Sequence, residues 1–262
     1  MSRRRIAVVA SSGLVFVIGS VVAMSTPGPL LTFDDLAYLA MGRTIAGGGS
    51  APMPAQPPYG VLYPLLLAPG WLVGLESGAM LTYARVANAL CGAAMVPALF
   101  ALVRRAFPGL DGRAALGGVV VAAMLPAGLL TASIVWTERL LPLLVVLALL
   151  GLSHVRESAS LRAAMVTIVI AVAMYAAHPR LGPAAVIVMG FVLMAARSRS
   201  RGFLAGLVLF ALAGLWLVER ARVAVATAAF GDEGTYGAGD IAARRGPGEL
   251  LQMLQLLSLI HI

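Results

Sequence analysis

Long apolar runs, separated by short arginine-bearing turns, leave this chain few ways to fold. A spanning helix needs about 20 mostly apolar residues, with a range near 17–25. Seven segments reach or approach that length: Ile6–Met24, Arg85–Val103, Ala114–Ser133, Leu140–His154, Leu161–Ala177, Leu181–Ala196 and Gly202–Val218. The fourth and sixth are short and are expected to extend into their flanks. An eighth stretch, Val61–Leu75, holds Pro64, Pro69, Gly70 and Gly74 and reads as a short, broken, re-entrant or surface-lying segment. Only 11% of the residues are charged and 60% are hydrophobic. A soluble domain carries about 25% charged residues, so an all-α membrane protein is expected.

Arginine counts set the expected orientation, because positive charge collects on the inner side. With the amino terminus inside, the inner ends hold Arg3, Arg4, Arg5, Arg104, Arg105, Arg113, Arg156, Arg162, Arg197, Arg199 and Arg201 against two acids, Asp111 and Glu157. The outer side holds the other eight arginines against nine acids. Counting Val61–Leu75 as a full span would invert every later loop. The pattern therefore predicts seven spans in a multi-pass cytoplasmic membrane protein, with Asp34, Asp35, Glu138, His178 and Arg180 outside. Arg3-Arg4-Arg5 followed by Ile6 to Ala23 resembles a signal peptide. Its apolar run of about 18 residues exceeds the usual 7–15-residue core, so it is read as an uncleaved first span.

The net charge of +8 does not imply nucleic acid, because the arginines are dispersed between apolar runs rather than gathered on one face. All 19 basic residues are arginine, which fits a G- and C-rich source genome. The single cysteine, Cys91, has no internal disulfide partner and reads as a small packing residue. No internal repeat and no P-loop occurs. Gly202 and Gly206 have the spacing of a helix-packing motif. Residues Leu257–Ile262 correspond to the string CTG TCT CTT ATA CAC ATC, which resembles a transposase end from library preparation. The native protein is accordingly expected to continue beyond about residue 256, and His261 carries no functional weight. A genuine amphipathic tail is the alternative.

Three outer segments are the candidates for chemistry. The first, residues 25–83, opens with Thr32-Phe33-Asp34-Asp35-Leu36-Ala37-Tyr38, a helix start in which Thr32 can cap and Asp35 has capping-box spacing. Acids there also suit the helix dipole. A Gly- and Pro-rich loop over residues 47–54 follows. The second is Trp136-Thr137-Glu138-Arg139, and the third is the Gly-, Asp- and Arg-rich stretch after Val218. Acids beside lipid are costly and often functional. Each also has a plainer reading: Asp34 as a helix-start charge, Asp35 as a cap, Glu138 as the exposed end of a span, and Arg85 as a boundary mark. His178 and Arg180 could snorkel. Tyr59, Tyr63 and Trp71 fit an aromatic interfacial belt, with lipid-carrier contact as the other reading.

The order Asp34-Asp35-Leu36-Ala37-Tyr38, Pro57-Pro58-Tyr59-Gly60-Val61-Leu62-Tyr63-Pro64, Arg85-Val86-Ala87-Asn88 and Thr137-Glu138 resembles the polytopic GT-C glycosyltransferases. These include the protein O-mannosyltransferases and the aminoarabinose transferases. The resemblance covers about residues 1–220 as a transmembrane module, with 221–256 as an outer loop and the start of a truncated region. It implies seven spans with surface-lying helices in the first outer loop. It also implies transfer of a sugar from a polyprenyl-phosphate carrier to a lipid, glycan or protein acceptor at the outer face. The position matching the catalytic base is Asp34, with Tyr38 four residues on, and Glu138 matches the second acid. Asp35 stands where relatives often carry Glu, and Gln56-Pro57-Pro58 lacks the basic residue that precedes this segment in some relatives.

A carboxylate can take the acceptor's proton, and a leaving phosphate needs positive charge or a metal. Outer Arg43, Arg85, Arg139 and Arg180 supply charge that fits phosphate bidentately, and a protonated His178 could join them. No cofactor is fixed, and a divalent cation is compatible with this chemistry. The implied partners are the sugar donor, the acceptor and membrane lipids. A transporter or flippase would carry ionisable groups near the midplane on broken helices, whereas these acids cluster at one face. A noncatalytic membrane scaffold is the third reading.

Overall fold

The computed structural model of the protein describes residues 3–26, 33–49, 59–135, 137–158, 160–197 and 199–231. Among them the chain is helical without a strand: α1 (Arg3–Ser25), α2 (Phe33–Ile45), α3 (Leu62–Leu72), α4 (Ser77–Ala106), α5 (Gly112–Ala123), α6 (Pro126–Thr131), α7 (Leu140–Ser158), α8 (Leu161–Ala177), α9 (Gly182–Ala195) and α10 (Arg201–Phe230). Short 3₁₀ turns at Thr137–Arg139 and Pro179–Leu181 lead into α7 and α9. The helices α1, α4, α10 and the continuous run Thr137–Ser158 are long and apolar enough to cross a membrane, while α3, α5, α8 and Pro179–Ala195 are shorter apolar helices.

Two cores organise the bundle. The larger joins α2, α3, α4, α7, α8, α9 and α10 around Met41, Tyr63, Leu67, Ile168 and Met174. The smaller locks α1, α4 and α5 through Val15, Val96, Phe100, Ala115 and Val119. Exposed faces remain apolar, with Val9, Leu72, Val186, Phe191 and Trp216 open. Lipid rather than water suits such surfaces.

The ends that carry the arginine clusters meet at one end of the bundle. Arg105 pairs with Glu157 at 3.9 Å and donates to Ser153 Oγ at 2.7 Å. Arg4 lies against Gly112, and Arg104 donates to the Leu110 carbonyl. Asp111 caps α5 by accepting from the Arg113 and Ala114 amides at 2.8 and 3.0 Å. Those amides hold its carboxyl below the usual carboxylate range.

Several expectations change. The segment Ala114–Ser133 is not one span. Pro126 forces Leu125 into an extended conformation (φ −54°, ψ 141°), which parts α5 from the six-residue α6. The second span begins at Ser77, eight residues before Arg85, so Arg85 marks no boundary. The last helix passes Val218 and runs to Phe230, because alanines with high helix propensity continue it. Gly231, at φ +82°, then ends it. Val61–Leu75 is short, as expected, but α3 is unbroken through Pro64 and Pro69. Its 11 residues extend about 16 Å, too little to cross about 30 Å of hydrocarbon. Gly202 and Gly206 are exposed, and a Cβ at either would meet nothing within 4 Å. Among the described residues they form no helix-packing contact, because α10 buries its Leu207 and Ala211 face instead.

Candidate functional site

The opposite end of the bundle gathers polar groups from three segments around the bend Ser133–Val135, between α6 and α7. Asp35, in the first turn of α2, is 1% exposed, and its Oδ1 accepts from the Val135 amide at 2.8 Å. Arg85 of α4 is buried, and its Nε donates to the Ser133 carbonyl at 3.2 Å. One turn further along α4, Asn88 Nδ2 donates to the Ile134 carbonyl at 2.6 Å. Thr26, past the end of α1, donates to Ser133 Oγ at 3.0 Å. A bend without its own helical hydrogen bonds needs such outside partners.

Three tyrosines pack beneath this bend. Tyr38 stacks edge-on against Tyr59 and Tyr63, with ring centroids 5.1 and 5.2 Å apart. The Tyr63 hydroxyl donates to Asn88 Oδ1 at 3.1 Å. Burial pushes its phenol well above the ordinary range, so it stays a neutral donor. The aromatic-belt expectation for Tyr59 and Tyr63 is therefore corrected: both are buried, and Tyr63 is fully so. Trp71 is half-buried, with its Nε1 shielded.

The segment 59–60 docks on the end of α8. A Cβ on Gly60 would collide with the carbonyls of Ala176 and Ala177, so only glycine permits this approach. That contact brings His178 and Arg180 to the tyrosine cluster's side of the bundle. His178 Nδ1 accepts from the Arg180 amide at 3.1 Å and caps the 179–181 turn. Its expected protonated role conflicts with this cap, because an imidazolium has no acceptor nitrogen. Arg180 is exposed.

Glu138 lies in the 137–139 turn and is half-buried, with Oε2 shielded from solvent. The neighbouring Arg139 does not face outward as expected. It is buried against Gly92 of α4 and Gly128 of α6. Asp34 belongs to the first turn of α2, but its side chain lies outside the described residues, as do Thr32, Gln56-Pro57-Pro58, Trp136 and residues 232–262. The structure thus brings Asp35, Tyr38, Tyr59, Tyr63 and Arg85 into one connected cluster, with Glu138 in the same turn region. Among the described residues no three His, Cys, Asp or Glu side chains stand together as a metal site.

Sequence reasoning quoted Asn88 within a motif but gave it no role, although an amide inside an apolar run is itself a signal. It also overlooked a second polar group at this end. Tyr175 of α8 donates to Glu219 Oε2 at 2.7 Å, and Arg222 Nε donates to the same oxygen at 2.8 Å. The three-residue spacing of Glu219 and Arg222 along α10 was the available clue.

No family model and no curated protein sequence matches the chain. Among solved structures, the chain is similar to one described as the S. cerevisiae protein O-mannosyltransferase Pmt1-Pmt2 complex bound to the sugar donor. The match has a TM-score of 0.56 and 15% identity over 86% of this chain. The chain spans 33% of the length of that protein. The likeness is one of fold, all-α and GT-C-like, with apolar helices long enough to cross a membrane.

Proposed function

We propose that this protein is a membrane glycosyltransferase that moves a sugar from a polyprenyl-phosphate carrier to an acceptor at the outer face of the cytoplasmic membrane. One observation carries the reading: the acid-bearing α2 is tied to the Glu138-bearing turn through Asp35 and Val135, a hundred residues apart in sequence. In this reading Asp34 takes the acceptor's proton, and Glu138 is the second acid. Arg85 and the exposed Arg180 offer charge to the leaving phosphate, while Tyr38 and Tyr59 wall the donor side and Tyr63 supports them. Asp35 positions α2 rather than reacting. The amino terminus is inside, as the gathering of arginine-bearing ends at one end of the bundle supports.

The test is transfer in membranes with radiolabelled polyprenyl-phosphate sugars. Native protein is expected to move label to an acceptor, and Asp34→Asn to lose at least a hundredfold in rate while inserting normally. Undiminished turnover in that variant would remove Asp34 as the base. No transfer from any donor by well-inserted native protein would shift the reading to a transporter or scaffold.

A further inference from the structure

We propose that Arg139 is a positioning residue: it donates to the last carbonyl of α5, where Pro126 interrupts the helix, and so fixes the turn that carries Glu138. In a continuous helix the Ala123 carbonyl would accept from the amide of residue 127. Leu125, held extended before Pro126, interrupts the helix between those two residues. Arg139 Nη1 donates to the Ala123 carbonyl instead, at 3.4 Å.

The berth is built for a guanidinium. It lies against two residues without side chains: a Cβ at Gly128 would stand 2.9 Å from Nη1, and one at Gly92 3.4 Å. Gly92 lies midway along the 30-residue α4, about 22 Å from its start. The side chain is 8% exposed and forms no ion pair among the described residues. A buried unpaired charge is costly, and the negative end of the α5 dipole offsets part of that cost. Asp35, Arg85 and Asn88 hold residues 133–135, and Arg139 ties the end of the 137–139 turn to Ala123. Glu138 lies between these two attachments. The brace stands on geometry alone; its catalytic consequence rests on the transferase reading above.

Hydrogen exchange on the full chain in lipid nanodiscs tests the brace. Arg139→Met is expected to raise exchange at least tenfold in peptides covering residues 124–139, with α8 and α9 unchanged. Arg139→Lys keeps a charged donor and should stay within threefold of native. Unchanged exchange in Arg139→Met, or an equal rise throughout the chain, would overturn the proposal. If Arg139→Met does not accumulate, Gly128→Ala decides. Its methyl pushes the guanidinium away, whereas Gly92→Ala makes only an ordinary contact. Raised exchange in the first variant alone supports the brace, and native behaviour in both refutes it. In the transfer assay, Arg139→Met should lower kcat at least tenfold with donor KM within threefold, and Arg139→Lys should recover most of it. A raised KM with kcat intact would refute the positioning role. If native protein transfers nothing, the transferase reading fails and exchange alone judges the brace.

Discussion

Asn88→Ala should be among the most damaging single changes at the polar end of the bundle. Asn88 is fully buried and serves two partners, the Tyr63 hydroxyl at 3.1 Å and the Ile134 carbonyl at 2.6 Å. Alanine strands both. Each stranded buried group costs about 1–3 kcal/mol, so the expected loss is about 4 kcal/mol. Tyr63→Phe removes only the donor to Oδ1 and should cost about 1 kcal/mol. In the double variant the phenol no longer exists to be stranded. Its cost should therefore fall short of the sum by about 1–2 kcal/mol, well above the usual additivity error of about 0.3–0.5 kcal/mol. Reversible unfolding in mixed micelles, followed by near-ultraviolet dichroism, measures all four corners of the cycle. Additive costs would refute the shared network and leave Asn88 as a packing residue.

Gly60→Ala should prevent residues 59–60 from docking on α8, since the added methyl meets main-chain carbonyls that cannot move aside. The variant is expected to melt well below native, and limited proteolysis should show earlier cleavage near residue 60; native melting would disprove the close approach. Asp111 supplies a pH prediction. Its folded pKa is lowered by capping α5, so its contribution is present above the unfolded value, about 3.9. That contribution is lost as pH falls through the folded value. Native protein should therefore out-melt Asp111→Ala at pH 7, with the gap closing as pH falls below about 4; a gap constant with pH would contradict the cap.

The expected bounds Ile6–Met24 and Leu161–Ala177 match the helices α1 and α8 closely, because continuous apolar composition favours an unbroken helix, although of the two only α1 is long and apolar enough to cross a membrane. The same logic failed at Ala114–Ser133, where one proline outweighs an otherwise apolar run by fixing the residue before it. Composition averages over a window, whereas a helix break is decided by a single backbone angle.

What the sequence determined by itself was the class of chain: an all-α membrane protein whose arginine-rich ends hold only two of its eleven acids. Hydropathy and charge are sums over local residues, so no fold is needed to read them. Which polar groups meet was decided only by tertiary structure. Asp35 looked like a local cap, yet its carboxylate serves Val135 a hundred residues away. Tyr59 and Tyr63 looked interfacial, yet packing against Tyr38 buries them. Arg139 looked like an outward charge, yet two glycines from different helices open a berth for it. In each case the partner lies on another helix, and a side chain's role follows from the unsatisfied group it reaches rather than from its neighbours in sequence.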